Sequence, residues 1–368
     1  MGEREDGRNL IPRLFSYFAR SVGKSRAFHL PADIANASSL IFIDSGDLVD
    51  LLFAAPVINF FGTHFPLIKT TFLVRNSDAE LVKGLMRVNT IISYEPRQLK
   101  LYSADYLALL RKLRKKKIDV AILLDRRFSL DRHLLAFAIG APIRIGFAHP
   151  LAFPFLNCEV RLSEGGYEGK KMPRILQAIG IKLDEGWDAV SLVPREVQHA
   201  RQLKHFWKPE KDLLMVGLDP SSSKTRHHVI PEIIAYLANN LASRRRAKFL
   251  IFANPWDEKL VKDLTAELKG DVIDLKPEGL SETVALLSQC DLFLSGNTNL
   301  FHFAAALNVP AIGLFTKFDR AGWIPEDAPN VRIFQGTRGE KLSLKDFFCI
   351  VEEVLAAKAA VSTEHERA

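Results

Sequence analysis

Three aspartates fall within seven residues at DSGDLVD (44–50), directly after the apolar run SLIFI and ahead of LLFAAPVINFF. A helix start favours carboxylates, and one of them can cap the first turn, so any single one has an ordinary explanation. Three in succession exceed what a cap needs. A carboxylate held at such a turn can act as a general base, taking the proton of an attacking hydroxyl. Spacing alone does not choose among Asp44, Asp47 and Asp50.

Two further stretches carry groups suited to an anion. PSSSKTRHH (220–228) puts Ser222 and Ser223 beside Lys224 and Arg226, ahead of a helix opened by Pro231. Backbone amides at a helix start, with hydroxyls and fixed cations, can stabilise a departing diphosphate; a merely polar loop is the other reading. SGNTNLFHFAAALNVP (295–310) offers a second such turn: Asn297, Thr298 and Asn299 lead into a helix with His302 in its first turn. No GxxxxGKS loop or GxGxxG fingerprint is present, which argues against a triphosphatase or a dehydrogenase. No His, Cys, Asp or Glu cluster has metal-ligand spacing, so no metal is expected.

These residues need elements to position them, and the chain alternates between strand and helix patterns. Runs at 39–44, 70–75, 90–94 and 119–125 read as strands separated by helical segments, the last followed by a helix closed by Gly140. The rhythm breaks in 185–212. It restarts with strands at 213–219, 248–254, 272–275, 291–296 and 311–315, again with helices between. Strand then helix, repeated, predicts an α/β architecture of two doubly wound parallel sheets. Four regions follow: a basic amphipathic arm (1–36), a first Rossmann-like domain (37–200), a second (201–345), and a C-terminal helix that packs back and frays (346–368). Sites in such sheets lie beyond the carboxyl ends of the strands, where the three stretches above fall.

Composition limits what the chain can be. Its 368 residues suffice for two cores, and 48% hydrophobic with 25% charged residues is a globular balance. No stretch approaches the ~20 apolar residues of a membrane span, and MGEREDGRNLIPR lacks a secretory core, so a cytoplasmic location is expected. Cys158, Cys290 and Cys349 sit far apart among apolar residues and are expected to be buried thiols. The net charge of +7 gathers in 4–26, 111–117 and 244–248 without interleaved aromatics, which speaks against nucleic acid. Solvated helix faces or contact with an anionic membrane surface account for it, and 10–28 has the spacing of an interfacial helix.

At these same residues the chain resembles the ADP-heptose:lipopolysaccharide heptosyltransferase family, whose fold is GT-B, two facing Rossmann-like domains. The resemblance runs from about residue 39 to 355. Aligned without gaps, LIFIDSGDLVDLLFAAP puts Asp50 on the family's catalytic aspartate and Pro56 on its proline. DVAILLDRRFSLDRHLLAFAIGAPIRIGF looks like the family's strand–helix–GAPxRIGF stretch. IFANPWDEKLVKDL resembles its GGPxDxE segment and carries the nucleotide-contacting glutamate onto Glu258. SGNTNLFHFAAALNVPAIGLFTKFDRAGWIP is similar to its donor-site run, with Thr298 and His302 on diphosphate contacts and Trp323 and Pro325 in place. The chain departs from the pattern at Asp44 (arginine in the family), Val49 (glycine), Asn297 (aspartate), Asn299 (glycine) and Leu300 (proline). A positive φ at position 299 would suit Asn less well than Gly.

The resemblance implies an inverting, metal-independent transfer of a heptose from a nucleotide-diphosphate sugar to a hydroxyl of a lipopolysaccharide-core-like, lipid-linked acceptor. ADP-heptose would be a substrate, with no cofactor. Asp50 would be the base; Ser222, Ser223, Lys224, Arg226, Asn297, Thr298, Asn299 and His302 would hold the diphosphate; Glu258 would bind the nucleoside. The place would be the cytoplasmic face of the bacterial inner membrane, where a basic arm has a use. The alternative is a GT-B homologue without catalysis that serves as a binding or assembly protein.

Overall fold

A computed structural model of the chain describes residues 17, 27–101, 103–162, 165–181, 192, 194–210, 212–221, 231–253, 257–273, 275, 277–315, 321–325, 328–335 and 343–365. Two compact units result, Met1–Glu164 with Gly169–Ala189, and Gly165–Glu168 with Val190–Ala368.

In the first unit a short helix α1 (Ala32–Ala35) precedes β1 (Ser39–Ile43), α2 (Leu48–His64), β2 (Lys69–Arg75), α3 (Ala79–Leu85), β3 (Thr90–Tyr94), α4 (Ala104–Arg114), β4 (Val120–Leu123), α5 (Leu130–Ile139), β5 (Ile143–Phe147), β6 (Cys158–Val160) and α6 (Arg174–Ala178). The strands form one parallel sheet in the order β3-β2-β1-β4-β5-β6. Leu40 to Ile43 and Val120 to Leu123 are buried throughout, because helices cover both faces of such a sheet and leave no polar side. Phe42 anchors this layer, packing edge-on against Phe61 of α2 and Phe72 of β2 at centroid distances of 5.6 and 6.3 Å. Truncating such a buried ring costs about 3–5 kcal/mol. Helix α2 is apolar almost all round and buried from Val49 to Ile58, with Pro56 inside it.

The second unit repeats the scheme with α7 (Pro194–Trp207), β7 (Leu214–Asp219), α8 (Pro231–Arg244), β8 (Ala247–Ile251), α9 (Glu258–Glu267), β9 (Asp271–Ile273), α10 (Leu280–Leu287), β10 (Leu292–Ser295), α11 (Asn299–Ala306), β11 (Ala311–Phe315), β12 (Val331–Gln335) and α12 (Leu344–His365). Its sheet runs β12-β11-β10-β7-β8-β9, all parallel. Gly217 lies at the centre of it, where a Cβ would stand 2.7 Å from the Phe293 ring.

Each sheet has one point where the strand order reverses. In the first unit it lies between β1 and β4, in the second between β7 and β10. These crevices are where open α/β sheets place their ligands.

Several boundaries differ from the sequence reading. Predicted strand 272–275 is found as Asp271–Ile273, and β5, β6 and β12 had no predicted counterpart. The division falls at 189/190 rather than 200/201, since α7 packs on α10 of the second unit. Helix α12 packs on α8, β11 and β12 and runs to His365, well into the stretch 346–368 where fraying was expected. Of the cysteines, Cys290 is buried and Cys158 partly so, but Cys349 is exposed on α12. The arm is outside the described residues except for Tyr17 and residues 27–36. Among the described residues no helix is long and apolar enough to cross a membrane.

Candidate functional site

The three aspartates after β1 have three separate duties. Asp47 is the N-cap of α2, its carboxylate accepting from the Val49 amide at 3.2 Å. Asp44, fully buried, accepts from the Tyr94 hydroxyl at 2.6 Å and from the Arg75 amide at 3.1 Å, binding the ends of β1, β2 and β3 together. Asp50 occupies the first turn of α2 at the reversal point, 6% exposed, and takes a hydrogen bond from Arg126 Nε at 2.6 Å. Arg126 Nη2 also closes on the same carboxylate oxygen. Capping therefore explains Asp47 and leaves Asp50 to be accounted for.

Beside this pair lies a second charged group. Arg132 of α5 donates to the Tyr94 hydroxyl at 3.3 Å and stands 3.8 Å from both Asp44 and Asp125, the latter just past β4. Asp125 Oδ2 and Arg132 Nε are buried without a hydrogen-bond partner among the described residues. Arg132 also crosses the backbone of Gly46, whose φ is +74°; a Cβ there would come within 2.3 Å of Nη2. Only glycine fits so close a crossing at that φ. Burial raises the Asp44 and Asp50 carboxyls against the pull of their arginines, and lifts Asp125 well above the usual range.

In the second unit the polar centre is Asp219, the last residue of β7. Its carboxylate accepts from the Thr298 hydroxyl at 2.7 Å, the Ser221 amide at 2.9 Å and the Ser295 hydroxyl at 3.4 Å. Burial pushes its pKa up to about 6 despite these bonds. Thr298 N-caps α11, accepting from the Phe301 amide at 3.3 Å. The hydroxyl expected at a diphosphate is thus engaged within the fold, and the amides of Asn299 and Leu300 lie ahead of the one it caps. Asn299 is the first residue of α11 and has no positive φ, so the glycine of the family pattern is not needed for backbone reasons.

His302 is buried in the first turn of α11. Its Nδ1 lies 3.0 Å from the Tyr167 hydroxyl and Nε2 3.3 Å from Asn297 Oδ1, a pattern that fits the Nε2–H tautomer. Trp323 packs beside it at 5.4 Å between ring centroids. The candidates Asn297, Thr298, Asn299 and His302 are therefore brought together at one turn. Ser222, Ser223, Lys224 and Arg226 lie outside the described residues. Glu258 starts α9, exposed and bonded to Lys262 at 2.8 Å, on the rim of a cavity of about 410 Å³. Phe252, Ala253, Val261, Val272 and Leu275 line that cavity beyond β8 and β9, giving a largely apolar space of nucleoside size. Among the described residues no three His, Cys, Asp or Glu side chains converge as a metal site.

Sequence reasoning missed Asp125, Arg126, Arg132, Tyr94, Asp219 and Tyr167. Tyr94, Asp125, Arg126 and Asp219 were accessible to the same rule that found Asp50, since they stand at or just past strand ends. Tyr167 and Arg132 carried no such signal, since tertiary packing alone brings them in.

Two Rossmann-like units, each with a polar cluster at its reversal point, define the GT-B class of α/β proteins. The chain belongs to glycosyltransferase family 9 (heptosyltransferase), which it matches over residues 106–346. It is 24% identical over 285 residues to the lipopolysaccharide core heptosyltransferase OpsX of Haemophilus influenzae, covering 75% of this chain and 78% of that one. A family 9 glycosyl transferase from Veillonella parvula superposes with a TM-score of 0.72 at 16% identity, over 87% of this chain and 97% of that one. Heptosyltransferase WaaC of E. coli, solved with ADP, gives 0.66 at 19% identity, over 86% and 99%.

Proposed function

We propose that the chain transfers a heptose from a nucleotide-diphosphate sugar, ADP-heptose, to a hydroxyl of a lipid-linked saccharide of the lipopolysaccharide core, with inversion. The observation that carries this reading is Asp50, a buried carboxylate at the strand-order reversal, in the first turn of α2 and not used as its cap. The acceptor oxygen bonds to the anomeric carbon as the bond from that carbon to the phosphate oxygen breaks. The hydroxyl proton passes to Asp50, and the nucleoside diphosphate leaves with the bonding electrons. Asn297, Thr298, Asn299 and His302, with Ser222, Ser223, Lys224 and Arg226, hold the diphosphate; Glu258 and the cavity behind it take the nucleoside. Amides and fixed cations stabilise the leaving charge, so no metal is required. The reaction belongs at the cytoplasmic face of the inner membrane, with the basic arm against anionic lipid.

Transfer from ADP-heptose to a heptose-deficient core acceptor tests the base. Asp50→Asn should lower kcat by about 10²–10⁴-fold with donor binding retained; unchanged transfer would refute the assignment. Thermal stabilisation by a panel of ADP-, UDP-, GDP- and CDP-sugars tests the donor, a shift with ADP-heptose alone being expected. A second reading, a binding or assembly protein, is favoured by Thr298 and His302 already being satisfied internally. A wild-type protein that none of these sugars stabilises would support it.

A further inference from the structure

The charges around Asp50 are unbalanced. Asp47 at the start of α2 and Asp125 beyond β4 are carboxylates that act on it, and Asp125 is in turn close to Asp44, which accepts from the Tyr94 phenol at the end of β3. Against them stand Arg126 and Arg132, while Arg75 at the end of β2 is paired with Asp78 at 3.1 Å. Arg132 serves Asp44 and Asp125. The guanidinium bonded to Asp50 is that of Arg126, and both its Nε and its Nη2 converge on Oδ1. The Arg126 side chain is itself only 12% exposed and lies over the Phe53 ring, 5.7 Å from its centroid. Phe53 follows Asp50 by one helical turn, so one guanidinium spans the first turn of α2 and cannot rotate without losing both contacts.

We infer that Arg126 is the positioning residue for the base: by holding Oδ1 through two guanidinium nitrogens it fixes the carboxylate in one orientation, ready to take the acceptor proton. The inference rests on the reading that Asp50 is the base. Burial and the charge of Asp47 both favour a protonated Asp50, and Arg126 is the strongest influence in the other direction. Without the guanidinium the carboxyl would hold its proton to higher pH, and a protonated carboxyl cannot act as a base.

The test is the pH profile of kcat/KM for wild type, Arg126→Gln, Arg126→Lys and Asp50→Asn, with ADP-heptose and lipopolysaccharide from a heptose-deficient strain as substrates. Arg126→Gln should move the acid limb up by about one pH unit or more, a tenfold loss below the limb that recovers at higher pH, with both KM values little changed. Arg126→Lys should place the limb between the two, and it carries the test if the Gln variant does not fold. A loss uniform across pH, or a raised acceptor KM with the limb unmoved, overturns the inference. Asp50→Asn separates the two failures. If it is inactive while the Arg126 variants leave the limb in place, only the role of Arg126 falls; if it is as active as wild type, the base assignment falls and this inference with it.

Discussion

Asp219→Asn should abolish a pH dependence of stability that runs opposite to ordinary acid denaturation. In the folded chain burial pushes the Asp219 carboxyl up to about 6, against 3.8 for the free group, because desolvation penalises its charged form more than the hydrogen bonds from Thr298, Ser221 and Ser295 favour it. A raised pKa means that the native state holds the proton more tightly than the unfolded chain does. The contribution is therefore fully present below pH 3.8 and is lost as pH rises through 6. Over the whole interval it amounts to about 3 kcal/mol, and between pH 5 and pH 7 to about 1 kcal/mol. Asparagine matches the shape and can still accept from the Ser221 amide, while the hydroxyls of Ser295 and Thr298 can turn to accept from its NH2. It carries no titrating proton. Melting both proteins at pH 5, 6 and 7 cancels the other carboxylates. The wild-type Tm should gain about 2–4 °C on the variant as pH falls from 7 to 5, the shift that about 1 kcal/mol produces in a unit of this size. A difference that stays constant over that range would refute the reasoning, by showing that Asp219 is ionised at pH 5 in the folded protein.

Three other outcomes follow from the geometry. Thr298→Val removes the cap of α11 and a hydrogen bond to Asp219, and should cost about 1–3 kcal/mol in urea unfolding, with Thr298→Ser close to wild type. Tyr167→Phe deletes the hydroxyl 3.0 Å from His302 Nδ1, and should weaken ADP binding by about 2–10-fold in titration calorimetry while leaving Tm nearly unchanged. Excess EDTA should leave the transfer rate unaltered, since the amides of the α11 turn, with Lys224 and Arg226, are proposed to do the work of a metal.

The sheets were legible because parallel strands buried on both faces are nearly continuous apolar runs; SLIFI, VAIL and AIGLF announce themselves. Short edge strands were not. Cys158–Val160 is three residues of unremarkable composition, and only its pairing with β5 makes it a strand. In the site, the turn at 297–302 and the aspartates at 44–50 were visible because strand ends concentrate function in this kind of sheet. What could not be seen was the partnership. No local pattern says that Asp50 meets Arg126, 76 residues on, or that Thr298 turns to Asp219, 79 residues back. Position 299 shows the reverse error: a glycine in the family pattern suggested a special backbone, yet the residue is ordinary helix.

The assignment of Gly165–Glu168 to the second unit, with Gly169–Ala189 returning to the first, means the chain passes from one unit to the other three times. Halves of this protein are therefore not separable at one cut. A fragment starting at Val190 would leave behind Tyr167, the residue that braces His302. Exchange of halves between related transferases at a single junction would pair the α11 turn of one parent with the tyrosine-bearing segment of the other. Recombination would have to move 165–168 together with the C-terminal part, and a chimera that neglects this should fold as two units with His302 facing a tyrosine segment from the other parent.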